Sequence, residues 1–223
     1  HTQSSAASDV YKRQVMDGTY TNPDYGTASP HSSDGSQSTN MNNPPAVIVN
    51  KSGTAGNYIT LRNLPGHNPK IKFDGRGGIL ISGPQSYLII EGFEIEGPGA
   101  SITYDQAIAD RKWKVKADQE DLNYNHSYFA SFGIWSGFSQ DFLHHHVIIR
   151  NNIVHHTTGS GIRFNDSDHI TIENNTVYNT TWWTSNASSA IVFAECKALS
   201  NNDNGDDIKI CLLYTSPSPR DKC

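Results

Sequence analysis

Sulfur is nearly absent from this chain. There are three cysteines and two methionines in 223 residues. Cys211 and Cys223 fall in a C-terminal stretch set apart below, which leaves Cys196 alone. No disulfide framework can therefore staple the domain, and cysteine usage indicates no compartment. Leucine is sparse, and no apolar run approaches the roughly 20 residues of a membrane-spanning helix. Basic residues form no block: 17 Lys and Arg stand against 22 Asp and Glu, a formal charge of −5. That balance argues against nucleic acid as a partner. What is abundant is Asn, Ser, Thr and Gly, a composition suited to many short strands joined by tight turns.

The informative positive feature is a repeat. Residues 147–154 read VIIRNNIV and residues 170–177 read ITIENNTV, an offset of 23. Short strands recurring at about 20–30 residues predict a solenoid. FGIWSG (132–137), SGIRFN (160–165) and SAIVFA (189–194) align as a first strand, with Ile134, Ile162 and Ile191 separated by 28 and 29 residues. VIIRNN, ITIENN and IKI (208–210) align as a second strand, and IVHH (153–156) and TVYN (176–179) as a third. A side-chain period of two turns Ile162 and Phe164 inward and Arg163 and Asn165 outward. Asn152 and Asn175 fall at the same bend of successive coils, where their amides should stack as a ladder.

Upstream, AVIVNKSG (46–53), NYITLRN (57–63), PKIKFDG (69–75), GGILISG (77–83), YLIIEG (87–92) and FEIEG (93–97) read as further strands, as does VMDGTY (15–20). Residues 22–45 read as a long loop. An insertion at 98–130 has a charged middle, 105–122, with room for a helix. TTWWTSNAS (180–188) occupies the corresponding turn of a later coil, so both should emerge beside the first-strand sheet.

The two ends have a different origin. SSAASDVYKRQ (4–14) and CLLYTSPSPRD (211–221) are in-frame translations of the two arms of a transposase sequencing adapter. Residues 1–14 and 211–223 are therefore set apart from the fold. Residues 15–210 are expected to be a parallel β-helix domain fragment, truncated at both ends. It carries 13 basic and 20 acidic residues once the four basic and two acidic residues of the end segments are removed, a charge of −7. The end segments are expected to be disordered or only opportunistically packed.

The run NNIVHHTTGSGIRFNDSDHITIENNTVYN (151–179) and the entry pattern NKSGTAGNYITLRNLPGHNPKI (50–71) resemble the pectin-lyase-like superfamily. The resemblance spans about 46–210. It implies an all-β, right-handed parallel β-helix with three strands per coil. It also implies a secreted or cell-surface protein whose partner is a polysaccharide. The implied activity is a polysaccharide lyase performing β-elimination on an acidic, uronate-containing glycan. A non-catalytic adhesin or glycan-binding protein is an alternative, and a glycoside hydrolase using a carboxylate pair is another.

The resemblance places a substrate groove along the first-strand face. The outward ladder there is Trp135, Arg163 and Val192, with Asn165 beside it and Trp182 and Trp183 above. Tryptophan faces stack on sugar C–H faces, and a guanidinium can grip a uronate carboxylate with two hydrogen bonds. Trp135, Trp182, Trp183 and Asn165 are thus candidate substrate contacts; Arg163, His156 and Glu195 are candidate catalytic residues. The competing reading of Arg163 is a salt bridge to Glu195 or Asp166. Asp166 and Asp168 are candidate oxygen ligands for Ca²⁺, against a plain turn-capping role for N-D-S-D. Lys51 is a candidate base several coils from Arg163. Among His144, His145, His146, His155, His156 and His169 there is no HxxxH helix and no cysteine partner, so the pattern does not indicate zinc.

A solenoid fragment without terminal caps exposes open β edges. The 223-residue product is accordingly expected to aggregate on expression, and size-exclusion chromatography that returned a monomer with a cooperative melt would contradict this.

Overall fold

The computed structural model describes residues 11–28, 44–121, 127–138, 141–184, 188–199, 208–211 and 214–215. Within them seventeen strands repeat in threes. Every third strand joins the same sheet. Sheet A contains β1 (Tyr11–Val15), β4 (Ile59–Asn63), β7 (Ser86–Glu91), β10 (His144–Arg150), β13 (Ser167–Glu173) and β16 (Ile208–Cys211). Sheet B contains β2 (Thr19–Thr21), β5 (Lys70–Lys72), β8 (Glu94–Glu96), β11 (Ile153–His155), β14 (Thr176–Tyr178) and β17 (Tyr214–Thr215). Sheet C contains β3 (Val47–Val49), β6 (Gly77–Ile81), β9 (Phe132–Ser136), β12 (Ile162–Asn165) and β15 (Ile191–Ala194). The strand pairings are parallel. The molecule is an all-β parallel β-helix with three strands per coil, as the repeat predicts.

The registers make the core. Ile79, Ile134, Ile162 and Ile191 stand on one another in sheet C. Leu88, Val147 and Ile170 do the same in sheet A, and Ile71, Ile95, Val154 and Val177 in sheet B. These three interior columns pack into one cluster whose central members are almost fully buried. β-branched side chains suit the position: their restricted χ1 costs little in a strand, and they fill a narrow interior without polar atoms.

The bends are built from residues that accept a left-handed backbone. Gly92 (φ 81°), Asn151 (φ 56°) and Asn174 (φ 54°) occupy one corner in three coils. The next residue forms the expected asparagine ladder. The Asn152 amide donates to Ile90 O (3.1 Å) and to Asn175 Oδ1 (3.1 Å), and its Oδ1 accepts from Phe93 N–H (3.1 Å). Asn175 donates in turn to Ile149 O at 2.8 Å. Both side chains are buried.

Outside, sheet A carries a column of alternating charge. Glu91 pairs with Arg62 at 3.3 Å and with Arg150 at 2.6 Å, and Arg150 lies 3.8 Å from Glu173.

One departure from the sequence reading stands out. VMDGTY (15–20) is not one strand, because the chain bends at Asp17–Gly18 between β1 and β2. The insertion at 98–130 contains a regular helix, α1 (Tyr104–Gln119), started by a capping box in which Thr103 and Gln106 exchange side-chain-to-backbone bonds. Of the long loop, residues 22–28 and 44–45 carry no strand, and 29–43 lie outside the described residues.

The described residues of the end segments take up strand positions. Tyr11–Gln14 continue β1, Cys211 ends β16 and Tyr214–Thr215 form β17. An open parallel edge offers unpaired N–H and C=O groups to any extended segment. The side chains fit less well. Arg13 is exposed in the column that holds Leu61, Ile90, Ile149, Ile172 and Ile210. Behind β1 a cavity of about 850 Å³ opens between Val47, Val49, Leu61 and Ile71.

The ladder gives a test. Asn152→Ala strands Phe93 N–H and Ile90 C=O inside the core, so it should lower stability by about 1–3 kcal/mol. Ile153→Ala, one residue on but 44% exposed, should cost less. Urea midpoints of the two variants would reverse this order if the ladder carried no load.

Candidate functional site

Sheet C presents the outward column Leu80, Trp135, Arg163 and Val192. Trp135 is on the outer face, but its ring is folded down over Gly77 and lies near Phe132 (centroids 5.8 Å apart). A Cβ on Gly77 would come within 2.4 Å of that ring, so only glycine leaves room for it. Trp135 is 3% exposed. A ring so covered has no free face for a sugar, and the reading of Trp135 as an open platform is corrected on that ground.

Arg163 stands one coil further on. It is half-buried, and its Nε donates to Asn165 Oδ1 at 3.0 Å. Its guanidinium carbon lies 5.5 Å from the Phe132 ring centre and 5.2 Å from that of Phe138. Among the described residues no carboxylate lies within ion-pairing distance of it. Burial lowers its pKa from the ordinary arginine value, and the charge of Glu195 acts in the opposite sense. Asn165 is buried, with its amide donating to Ser136 O at 3.2 Å and its backbone N–H to Ser136 Oγ at 2.8 Å. It therefore orients Arg163 and offers nothing to a ligand directly.

The two insertions meet as the sequence predicts, at the turn leading into sheet C. Trp183 contacts Tyr104 of α1 edge-on (5.6 Å) and packs on the cluster of Ile102, Ala107, Tyr128 and Phe129. It plugs the Trp loop against the helical insertion. Trp182 is half-buried against Trp183, 5.2 Å away.

At the opposite end of the sheet C strands the acids are occupied. Asp166 is 3.2 Å from Lys197 Nζ. Asp168 accepts His169 N–H at 2.9 Å through Oδ1 and Leu199 N–H through Oδ2. Both aspartates are about 2% exposed. Carboxylates committed to backbone amides and to a lysine do not fit a Ca²⁺ site, which needs six or more free oxygens around the ion. Glu195 is exposed, with φ 55°.

His156 lies elsewhere. It follows β11 and faces the surface of sheet B, where its ring contacts His155 and Tyr178. There Lys70 bonds Glu94 (2.8 Å) and Glu96, Lys72 bonds Glu96 (3.1 Å), and His155 Nε2 meets Glu94 Oε1 at 3.1 Å. Lys70 holds the Glu94 carboxyl below its ordinary value. Burial pushes the Glu96 carboxyl up, but Lys70 and Lys72 outweigh it and the net shift is downward. Neither glutamate is thus suited to donate a proton near neutrality. This cluster escaped sequence reading, although K-I-K, E-I-E and I-V-H in successive third strands signal it. Phe132 and Phe138 were missed because nothing in the sequence places them on the guanidinium.

No family model matches the chain, and no curated protein matches it. A solved structure described as a rhamnogalacturonan lyase is similar at 13% identity and a TM-score of 0.33. The match covers 92% of this chain and 58% of that one, so this chain spans a little over half of its length.

The shifts set a pH dependence. Burial lowers the pKa of His144 from 6.5, and burial with the neighbouring imidazoles does the same for His145 and His156. A group whose pKa is depressed by folding contributes stability above its unfolded value and loses it as pH falls through the folded value. Thermal melts followed by circular dichroism should therefore show Tm falling once pH drops below 6.5, and again below 4.5 as Glu94 and Glu96 protonate. A Tm that is flat from neutral to acidic pH would contradict the assignment.

Proposed function

We propose that the outer face of sheet C binds an acidic polysaccharide by seating a uronate carboxylate on Arg163. The observation that carries this is the half-buried guanidinium itself, tied at Nε, flanked by Phe132 and Phe138, and with no ion-pairing carboxylate among the described residues. A desolvated arginine without an acid is costly to keep, and an incoming carboxylate supplies the missing charge through two parallel hydrogen bonds. The Trp182 side of the loop supplies a wall. Such a ligand suits a secreted or cell-surface protein.

The reaction this arrangement favours is β-elimination. Neutralising the uronate carboxylate acidifies the adjacent C5 proton, and Glu195, whose charge acts on Arg163, is the candidate base. Binding without cleavage is the second reading. It is favoured by one observation: His156, the other candidate base, belongs to the sheet B surface. A carboxylate-pair hydrolase has less support, because Asp166 and Asp168 are engaged by Lys197 and by backbone amides.

Affinity electrophoresis in pectate or alginate gels should retard the protein, while neutral dextran should not. Arg163→Ala should weaken binding at least about tenfold, the worth of a charge-assisted hydrogen bond. Glu195→Gln should keep binding and remove the ultraviolet absorbance of unsaturated uronate. Equal binding by Arg163→Ala would exclude the reading. Binding with neither absorbance nor reducing ends would leave the non-catalytic one.

A further inference from the structure

The two insertions meet over the turn that leads into the Arg163 strand. β9, β12 and β15 are neighbours in sheet C, and each is entered by a turn from sheet B. The turns before β9 and β15 carry the insertions. The turn before β12 is short, and its residues Thr157, Thr158, Gly159, Ser160 and Gly161 are buried. Each insertion is tied to it: Thr158 Oγ1 donates to Tyr128 O at 2.8 Å, and Thr181 N–H donates to Gly159 O at 2.9 Å. The contact of Tyr104 with Trp183 joins the two arms.

Tyr104 differs from the tryptophans beside it. Trp183 is committed to the cluster around Ile102 and Phe129, and Trp182 is half-buried. Tyr104 is 62% exposed, more than any other large apolar side chain among the described residues. One exposed tyrosine is ordinary, but this one is held in place. It is the first residue of α1, directly after the Thr103–Gln106 capping box. Its ring meets Trp183 at an interplanar angle of 70°, a contact that leaves at least one face of the phenol ring open. The supporting loop is strained: Thr181 (φ 61°) and Trp183 (φ 70°) keep a left-handed backbone, which β-branched and bulky residues disfavour. Such strain gathers where a chain must present a group to a ligand.

We infer that Tyr104 is a distal sugar-stacking residue of the glycan face, touched by an oligosaccharide whose uronate lies on Arg163 and out of reach of a single uronate. This rests on the Arg163 reading above. Gly159, where the Trp loop is anchored, precedes Arg163 by four residues, which span at most roughly 14 Å. The aromatic arm therefore stands beyond the sugar seated on Arg163 and within the length of a short oligosaccharide. A phenol ring packs on the C–H face of a sugar of any charge, and a tyrosine already fixed in place loses little rotamer freedom on binding. Arg163 thus reads the charge of the ligand, and Tyr104 reads its length.

The test is calorimetry on the 223-residue protein with oligogalacturonates and oligoalginates, from the single uronate to the octamer. Affinity of the unaltered protein should rise with length. Tyr104→Ala should flatten that rise, weakening the long oligomers by roughly 3–10-fold and leaving the single uronate unchanged, with folding checked by circular dichroism. Tyr104→Phe should restore the rise, because it keeps the stacking face. Arg163→Ala should weaken every length. If Tyr104→Ala had no effect, or weakened all lengths alike, or were not rescued by Tyr104→Phe, the role of Tyr104 would be overturned and that of Arg163 left standing. If the unaltered protein bound no length of either series, both would fall.

Discussion

The hydrogen-bonded register from one coil to the next governs this molecule. Parallel strands repeat at about 4.8 Å, so each residue lies directly above and below its counterparts. A side chain is therefore chosen less for its neighbours in sequence than for its neighbours in the column. Inside, this yields unbroken stacks such as Ile79, Ile134, Ile162 and Ile191. At the corners it yields the Asn152–Asn175 ladder, which satisfies backbone groups that would otherwise be buried unpaired.

On the outer faces the same rule makes charge legible. Like charges stacked at this spacing repel, so columns alternate: Arg62, Glu91, Arg150, Glu173 on sheet A, and Lys70 over Glu94 on sheet B. Arg150 has an acid on either side. Arg163 has Trp135 on one side and Val192 on the other. That contrast, more than the presence of an arginine, sets the sheet C column apart from that of sheet A. The buried Trp135 below it acts as a floor, and Asn165 holds the guanidinium in position.

The polar clusters divide the surface into separate provinces. His156 and Glu195 leave their strands at opposite ends of the sheet C segment of the coil, one facing sheet B and the other the turn toward sheet A. The carboxylates of the N-D-S-D turn cap their own backbone and a lysine. The left-handed residues that recur at equivalent places, among them Tyr87, His146 and His169, stack their rings along the axis with centroids 4.7 and 4.5 Å apart. Backbone handedness at a bend is thus what sets two adjacent histidines side by side.

The coil architecture, the three strands, the inward isoleucines, the asparagine bend and the shared exit of the two insertions were all readable from the sequence, because period-two alternation and a repeat near 23–29 residues constrain them without knowledge of any contact. The K-I-K and E-I-E pairing escaped that reading, although stacking successive third strands signals it. Other features depended on rotamers and on the local bend of the chain: the folding of Trp135 onto Gly77, the lodging of Trp183 against α1, the clasp of Phe132 and Phe138 on Arg163, and the convergence of His155 with His156. Periodicity assigns a residue to a face of the coil, but only packing in three dimensions decides whether that residue remains open to solvent or becomes part of the wall.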